Sequence, residues 1–103
     1  MIPIRERIGR VADFPEGEGQ RVEVKGKKVA VFRVGEELYA IGAVCPHQQG
    51  PLDEGEVTDF QVECPWHASR FDLRTGEVTG PPAHEGVPIY KVMVDGDDVL
   101  LDV

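Results

Sequence analysis

In Gln20-Arg21-Val22-Glu23-Val24-Lys25 every second residue is apolar, which is the period of a strand with one wet face. Helical periodicity is weak along the rest of the chain, so the sequence predicts β-structure. Lys28-Val29-Ala30-Val31-Phe32-Arg33-Val34 is apolar on both faces over most of its length, the pattern of a central strand. Glu37 to Ile41 follows as a third strand. Lys25-Gly26-Lys27 and Val34-Gly35-Glu36 are short connections containing glycine, as tight hairpin turns need. A second hairpin is expected from Ile89 to Val94, a turn at Asp95-Gly96-Asp97-Asp98, and Val99 to Val103. The fold class predicted is all-β, an antiparallel sandwich or barrel.

Between these two β regions, residues from about 43 to 85 differ in character, being rich in Gly and Pro and holding both cysteines and all three histidines. Short strands are expected at Gln61 to Cys64, Arg70 to Leu73 and Glu77 to Thr79, with loops dominating. This stretch reads as a loop-built site subdomain inserted into the scaffold, within one domain spanning residues 1–103. No apolar run approaches a signal peptide or the ~20 residues of a membrane span, so a soluble, cytoplasmic protein is expected. Nineteen acidic against eleven basic side chains, a net charge of −8, argue against nucleic acid or an anionic membrane as partner. The charge is uneven: residues 1–33 are net basic and the remainder strongly acidic, an asymmetry that can act as a docking field.

Two segments carry the chemistry, Cys45-Pro46-His47 and Cys64-Pro65-Trp66-His67, with sixteen residues between His47 and Cys64. Each supplies a soft thiolate and a borderline imidazole, followed by turn residues that can wrap a metal. Structural zinc sites pair Cys-x₂₋₄-Cys with His-x₃₋₅-His or use four cysteines. Here the order is Cys, His, Cys, His, and because each loop offers both ligand types, two metals can be served at once. A single zinc and an iron–sulfur cluster both stay open on these residues alone.

The motif Cys-x-His followed by Cys-x-x-His resembles that of the Rieske-type ferredoxins, and the similarity runs over nearly the whole chain. Gly50-Pro51-Leu52 after the first loop agrees, as do residues 70–78 (Arg70 to Val78) and 80–83 (Gly80-Pro81-Pro82-Ala83) after the second. The resemblance implies a Rieske-like β fold and one 2Fe-2S cluster, with Cys45 and Cys64 on one iron and His47 and His67 on the other. Two ferric ions, two sulfides and two thiolates sum to zero charge, so the cluster accepts an electron more readily than a four-thiolate dianion. Potentials of such centres run from roughly −150 to +300 mV.

Departures from the high-potential branch of that family point to the low end. Gly50 and Trp66 stand where that branch has an extra pair of cysteines, and Phe71 stands where it has a hydrogen-bonding tyrosine, while Ser69 is kept. A donor worth about 1 kcal/mol to the reduced cluster raises a one-electron potential by roughly 40 mV. Trp66 reads equally as a hydrophobic lid and as ordinary core. Pro81 and Pro82 resemble the family's proline loop, which covers one side of the cluster. His84 reads as a solvent-facing loop residue, and Gln48 and Gln49 as the loop tip.

The function implied is a soluble, monomeric one-electron carrier without catalytic residues, passing electrons from a flavin-dependent reductase to a terminal oxygenase or other redox protein. Its acidic residues near the metal (Asp53, Glu54, Glu56, Asp59, Glu63, Asp72 and Glu77, against Arg70 and Arg74) would form a rim steering basic partners. The alternatives are a small subunit of an assimilatory nitrite reductase and a zinc-stabilised protein-binding module.

Overall fold

Strand β3 (Lys27–Val34) occupies the centre of the molecule, as its two-faced apolar sequence predicts. Side chains alternate across a strand, and here the two faces feed different cores. Ala30 and Phe32 join one core with Ile41, Leu52, Val62, Phe71, Leu73 and both cysteines. Val29 and Val31 join the other, with Phe14, Val24, Ala40, Val99 and Leu101. All four of these β3 residues are fully buried. The computed structural model describes residues 5–46, 50–66, 68–81 and 85–102.

β3 pairs with β2 (Gly19–Val24) and β4 (Glu37–Gly42), and β4 pairs in turn with the two-residue β9 (Ile89–Tyr90), giving a sheet ordered β2-β3-β4-β9. A three-stranded sheet, ordered β1-β11-β10, is built from β1 (Arg5–Arg10), β10 (Val92–Asp95) and β11 (Asp98–Asp102). The third sheet is the site subdomain: β5 (Glu56–Thr58), β6 (Gln61–Glu63), β7 (Arg70–Asp72) and β8 (Val78–Gly80), in sequential order. All strand pairings are antiparallel. The central sheet therefore packs β11 residues on one face and β6 and β7 residues on the other, so the fold is a sandwich carrying the inserted subdomain.

The meander forms where the alternation places it, each strand within a residue or two of its expected ends. The β2–β3 turn is Lys25-Gly26, both at positive φ (52° and 78°), the conformation of a two-residue hairpin whose twist matches its strands. The stretch from Ile89 to Val94 is two strands rather than one. β9 bonds to β4 and β10 to β11, so the chain changes sheets at Lys91, and an alternation that looks continuous in sequence is divided between two partners. β1 and β5 carry no clear period-two signal, since Arg5–Arg10 has a single large apolar residue, Ile8. Pairing with β11 makes the former a strand.

Close approaches hold the site subdomain against the scaffold. A Cβ on Gly19 would lie 2.4 Å from the Asp53 carbonyl oxygen and 2.6 Å from the Phe32 ring, so only glycine lets β2 rest on the 3-10 turn Leu52–Glu54. Arg21 reinforces this contact through an ion pair to Asp53 at 3.0 Å. On another side, Arg74 lies over the Phe60 ring (4.8 Å), which meets Tyr39 of β4 edge-on at 6.0 Å.

Candidate functional site

The two cysteine loops are built alike. Cys45 N–H donates to the Gly50 carbonyl at 2.9 Å, and Cys64 N–H donates to the Ser69 carbonyl at 2.7 Å, so each cysteine opens a six-residue loop closed onto itself. The first loop is fixed at its base by the Val44–Pro51 bridge and by Leu52 N–H donating to the Ala43 carbonyl (2.8 Å). Ala43 N–H donates to the Lys28 carbonyl (3.0 Å), which ties this base to β3. The second loop connects β6 to β7, and within it Ala68 N–H donates back to the Cys64 carbonyl (2.9 Å) while Ala68 holds φ 64°. The left-handed conformation is uncommon for a residue bearing a Cβ.

Both cysteines are buried in the same core, and no disulfide joins them. The loops meet at Gly50: a Cβ there would lie 2.6 Å from Cys64 Sγ and 3.2 Å from Trp66 Cγ. The missing side chain is thus a cradle between the first loop and the sulfur of the second. Two buried thiols presented by matched loops, with glycine in place of any side chain beside one sulfur, fit the thiolate half of the expected cluster.

Trp66 is 57% exposed, so the core reading of this residue is wrong. Its position after the proline of a tight loop turns the ring outward, leaving Cβ and Cγ over Gly50. Ser69 is fully buried at the loop's closing position, and Phe71 is fully buried in the site-side core. Pro81 follows β8 and is exposed. His47, His67 and Pro82, with Gln48, Gln49 and His84, lie outside the described residues.

The acidic residues divide into paired and unpaired. Glu63 meets Arg70 at 3.1 Å, and Asp72 meets Arg74 at 3.1 Å. Arg21 neutralises Asp53 from outside the stretch counted in sequence, so the rim is less negative than its composition implies. Glu54, Glu56, Asp59 and Glu77 form no ion pair among the described residues. The outer face of the site sheet presents a cleft of about 370 Å³ lined by Glu56, Thr58, Asp59, Gln61, Glu63 and Arg70. Hydrogen bonds from the Arg74 side chain and backbone, together with its charge, outweigh burial and hold the Asp72 carboxyl below its ordinary pKa. The same pairing raises that of Arg74.

Gly50 and Ala68 are the residues that sequence reasoning undervalued. A glycine directly after the loop-tip residues Gln48 and Gln49 was the available signal for the first; Ala68 carried none.

The chain is 42% identical over 94 residues to the 3-phenylpropionate/cinnamic acid dioxygenase ferredoxin subunit of Shigella boydii serotype 4 (strain Sb227), covering 90% of this chain and 88% of that one. It superposes on the ferredoxin of carbazole 1,9a-dioxygenase from Nocardioides aromaticivorans IC177 with a TM-score of 0.91 and 35% identity, over 99% and 98% of the two chains. A structure described as the complex of reduced oxygenase and oxidized ferredoxin in carbazole 1,9a-dioxygenase contains a chain with a TM-score of 0.90 and 28% identity, over 98% and 94%. A protein of Mycobacterium tuberculosis described as an NADH-dependent nitrite reductase small subunit shares the fold, with a TM-score of 0.89 at 24% identity, over 98% and 96%. The family model of the Rieske [2Fe-2S] domain matches residues 5–91, so the cofactor is a 2Fe-2S cluster rather than a structural zinc. With two like cysteine loops meeting in one core and that match spanning most of its length, this chain belongs to the Rieske [2Fe-2S] domain family.

Proposed function

We propose that this protein is a one-electron carrier, a ferredoxin that takes electrons from a flavin-dependent reductase and delivers them to a terminal oxygenase. The observation carrying this reading is the pair of matched loops that brings Cys45 and Cys64 into one core in a chain of the Rieske family. Cys45 and Cys64 hold one iron and His47 and His67 the other. When bound, the cluster supplies a one-electron couple. Trp66 shields the loops from water, Ser69 closes the second loop behind the cysteine, and Pro81 and Pro82 resemble the family's proline loop, which would cover one side of the cluster. Residues 1–103 act as one domain with the cluster-binding subdomain at about 43–85. The protein works as a soluble cytoplasmic monomer; among the described residues no helix is long and apolar enough to cross a membrane. The oxygenase reading is preferred over a nitrite reductase subunit because the more similar relatives are named as dioxygenase ferredoxins.

Iron and acid-labile sulfide analysis, with electron paramagnetic resonance after dithionite reduction, tests the assignment. A red-brown protein with one 2Fe-2S cluster per chain is expected. Cys45→Ser and His67→Ala should each lose the reduced signal. A colourless protein containing only zinc would overturn the reading.

A further inference from the structure

The four lysines of this chain are Lys25, Lys27, Lys28 and Lys91, three of them in or beside one hairpin turn and the fourth directly after Tyr90. Lys25 meets Glu6 at 3.8 Å, and five of the seven arginines, Arg5, Arg7, Arg21, Arg70 and Arg74, each reach a carboxylate. Lys27, Lys28 and Lys91 form no ion pair among the described residues. Glu23 stands opposite Lys28 across the β2–β3 ladder, yet the two make no ion pair. Among the described residues, a strongly acidic protein thus keeps an adjacent pair of lysines, Lys27 and Lys28, without a carboxylate partner.

Lys27 and Lys28 line a groove of about 350 Å³ together with Gly42, Val44, Pro88 and Tyr90. Lys27 Nζ lies 5.9 Å from the centre of the Tyr90 ring, which sets an ammonium beside an aromatic face. Gly42 N–H donates to the Pro88 carbonyl at 2.9 Å, and a Cβ on Gly42 would stand 3.1 Å from the Pro88 ring, so the groove floor is held flush. Val44 directly precedes Cys45, and the backbone of Lys28 anchors the base of the first cysteine loop. The groove therefore flanks the base of the first cysteine loop.

We propose that this groove receives a carboxylate-bearing segment of the protein with which this chain exchanges electrons, its acidic side chain meeting Lys27 and Lys28 and an apolar neighbour lying on Tyr90 and Pro88. This rests on the electron-carrier reading and specifies the partner. A redox protein that matches this chain carries a basic surface towards the acidic face of β5 to β8 and a carboxylate beside the first cysteine loop. Charges of both signs in fixed places orient the encounter, where an acidic surface alone would only attract it.

Titration of the isotope-labelled holoprotein at low ionic strength with acetyl-Glu-Phe-Glu-Glu-amide tests the proposal. Amide shifts are expected at Gly26, Lys27, Lys28 and Tyr90. Affinity should fall roughly tenfold in the double variant Lys27→Glu, Lys28→Glu. It should be unchanged in Arg10→Gln, a charge change outside the groove. The uncharged peptide acetyl-Gln-Phe-Gln-Gln-amide should shift nothing. Shifts located elsewhere, equal binding by the uncharged peptide, or unchanged affinity in the double variant would each overturn the groove. So would concentration-dependent shifts of the same amides without peptide, which would make a second copy of this chain the occupant. The reduced-cluster resonance of the same samples reports separately on the electron-carrier reading, and its absence would sink that reading whatever the peptide does.

Discussion

Gly50 shows how one residue's missing side chain can shape a centre. A Cβ 2.6 Å from Cys64 Sγ is closer than van der Waals contact permits, and the atom displaced is a sulfur in the core. Gly50→Ala is therefore expected to lower iron and sulfide content per chain and to destabilise the protein by roughly 1–3 kcal/mol, as overpacking does. Metal analysis and thermal melting check both. Asp72 acts at the same scale through its proton. Its carboxylate accepts from Arg74 N–H at 2.7 Å and from the guanidinium at 3.1 Å, which lowers its folded-state pKa. A lowered carboxylate pKa stabilises fully above the unfolded value, about 3.9, and the benefit is lost as pH falls through the folded value. Asp72→Asn should thus be less stable than the parent at pH 7, the difference narrowing as pH is lowered towards 3, as read by urea denaturation. The thiolate and imidazole pattern announced itself in the sequence, because few other roles require Cys and His twice at such spacing. The need for glycine at position 50 did not, because it arises from the sulfur of Cys64, fourteen residues away.

At the scale of elements, β3 was legible and β1, β5 and the β9–β10 break were not. Val29 to Phe32 are apolar without interruption because each face of the strand meets a core of its own, a demand that any central strand meets by composition. Replacing Phe32 by Ala should cost about 3–5 kcal/mol and weaken the site side most, since that ring fills the core shared with the cysteines. Chemical denaturation measures the loss. The Lys25-Gly26 turn offers the opposite change. Lys25 sits at φ 52°, a conformation that asparagine tolerates better than lysine, and its contact with Glu6 at 3.8 Å is an exposed pair of small worth. Lys25→Asn should stabilise by roughly 0.5 kcal/mol, seen as a small rise in melting temperature. β1 has Ile8 as its single large apolar residue and becomes a strand because β11 supplies a partner edge.

Across the whole molecule, the two cores predict how the protein comes apart. Both cysteines, the proposed thiolate ligands, belong to the core of Phe32, Val62 and Phe71, whereas the core of Val31, Val99 and Leu101 includes neither. Removing the cluster should therefore expose amides of β6 and β7 to hydrogen exchange while β11 stays protected, because metal binding is coupled to the folding of the elements that ligate it. Equal loss of protection in both halves would show a single cooperative unit instead. Charge acts at this scale too. Raising ionic strength should slow electron transfer with a basic redox partner, as measured by stopped flow, because Glu54, Glu56, Asp59 and Glu77 are left unneutralised.

The sequence by itself determined the β class, the central strand, the hairpin turns and the pairing of Cys with His in two short motifs, because these follow from side-chain period, backbone permissiveness and residue order, all local properties. Only the tertiary structure decided that Trp66 faces out, that Arg21 rather than solvent neutralises Asp53, that Gly50 lies against Cys64 and that the chain changes sheets at Lys91. Each of these depends on which distant segment arrives as a neighbour, and contact between residues remote in sequence is set by the packing of sheets on one another.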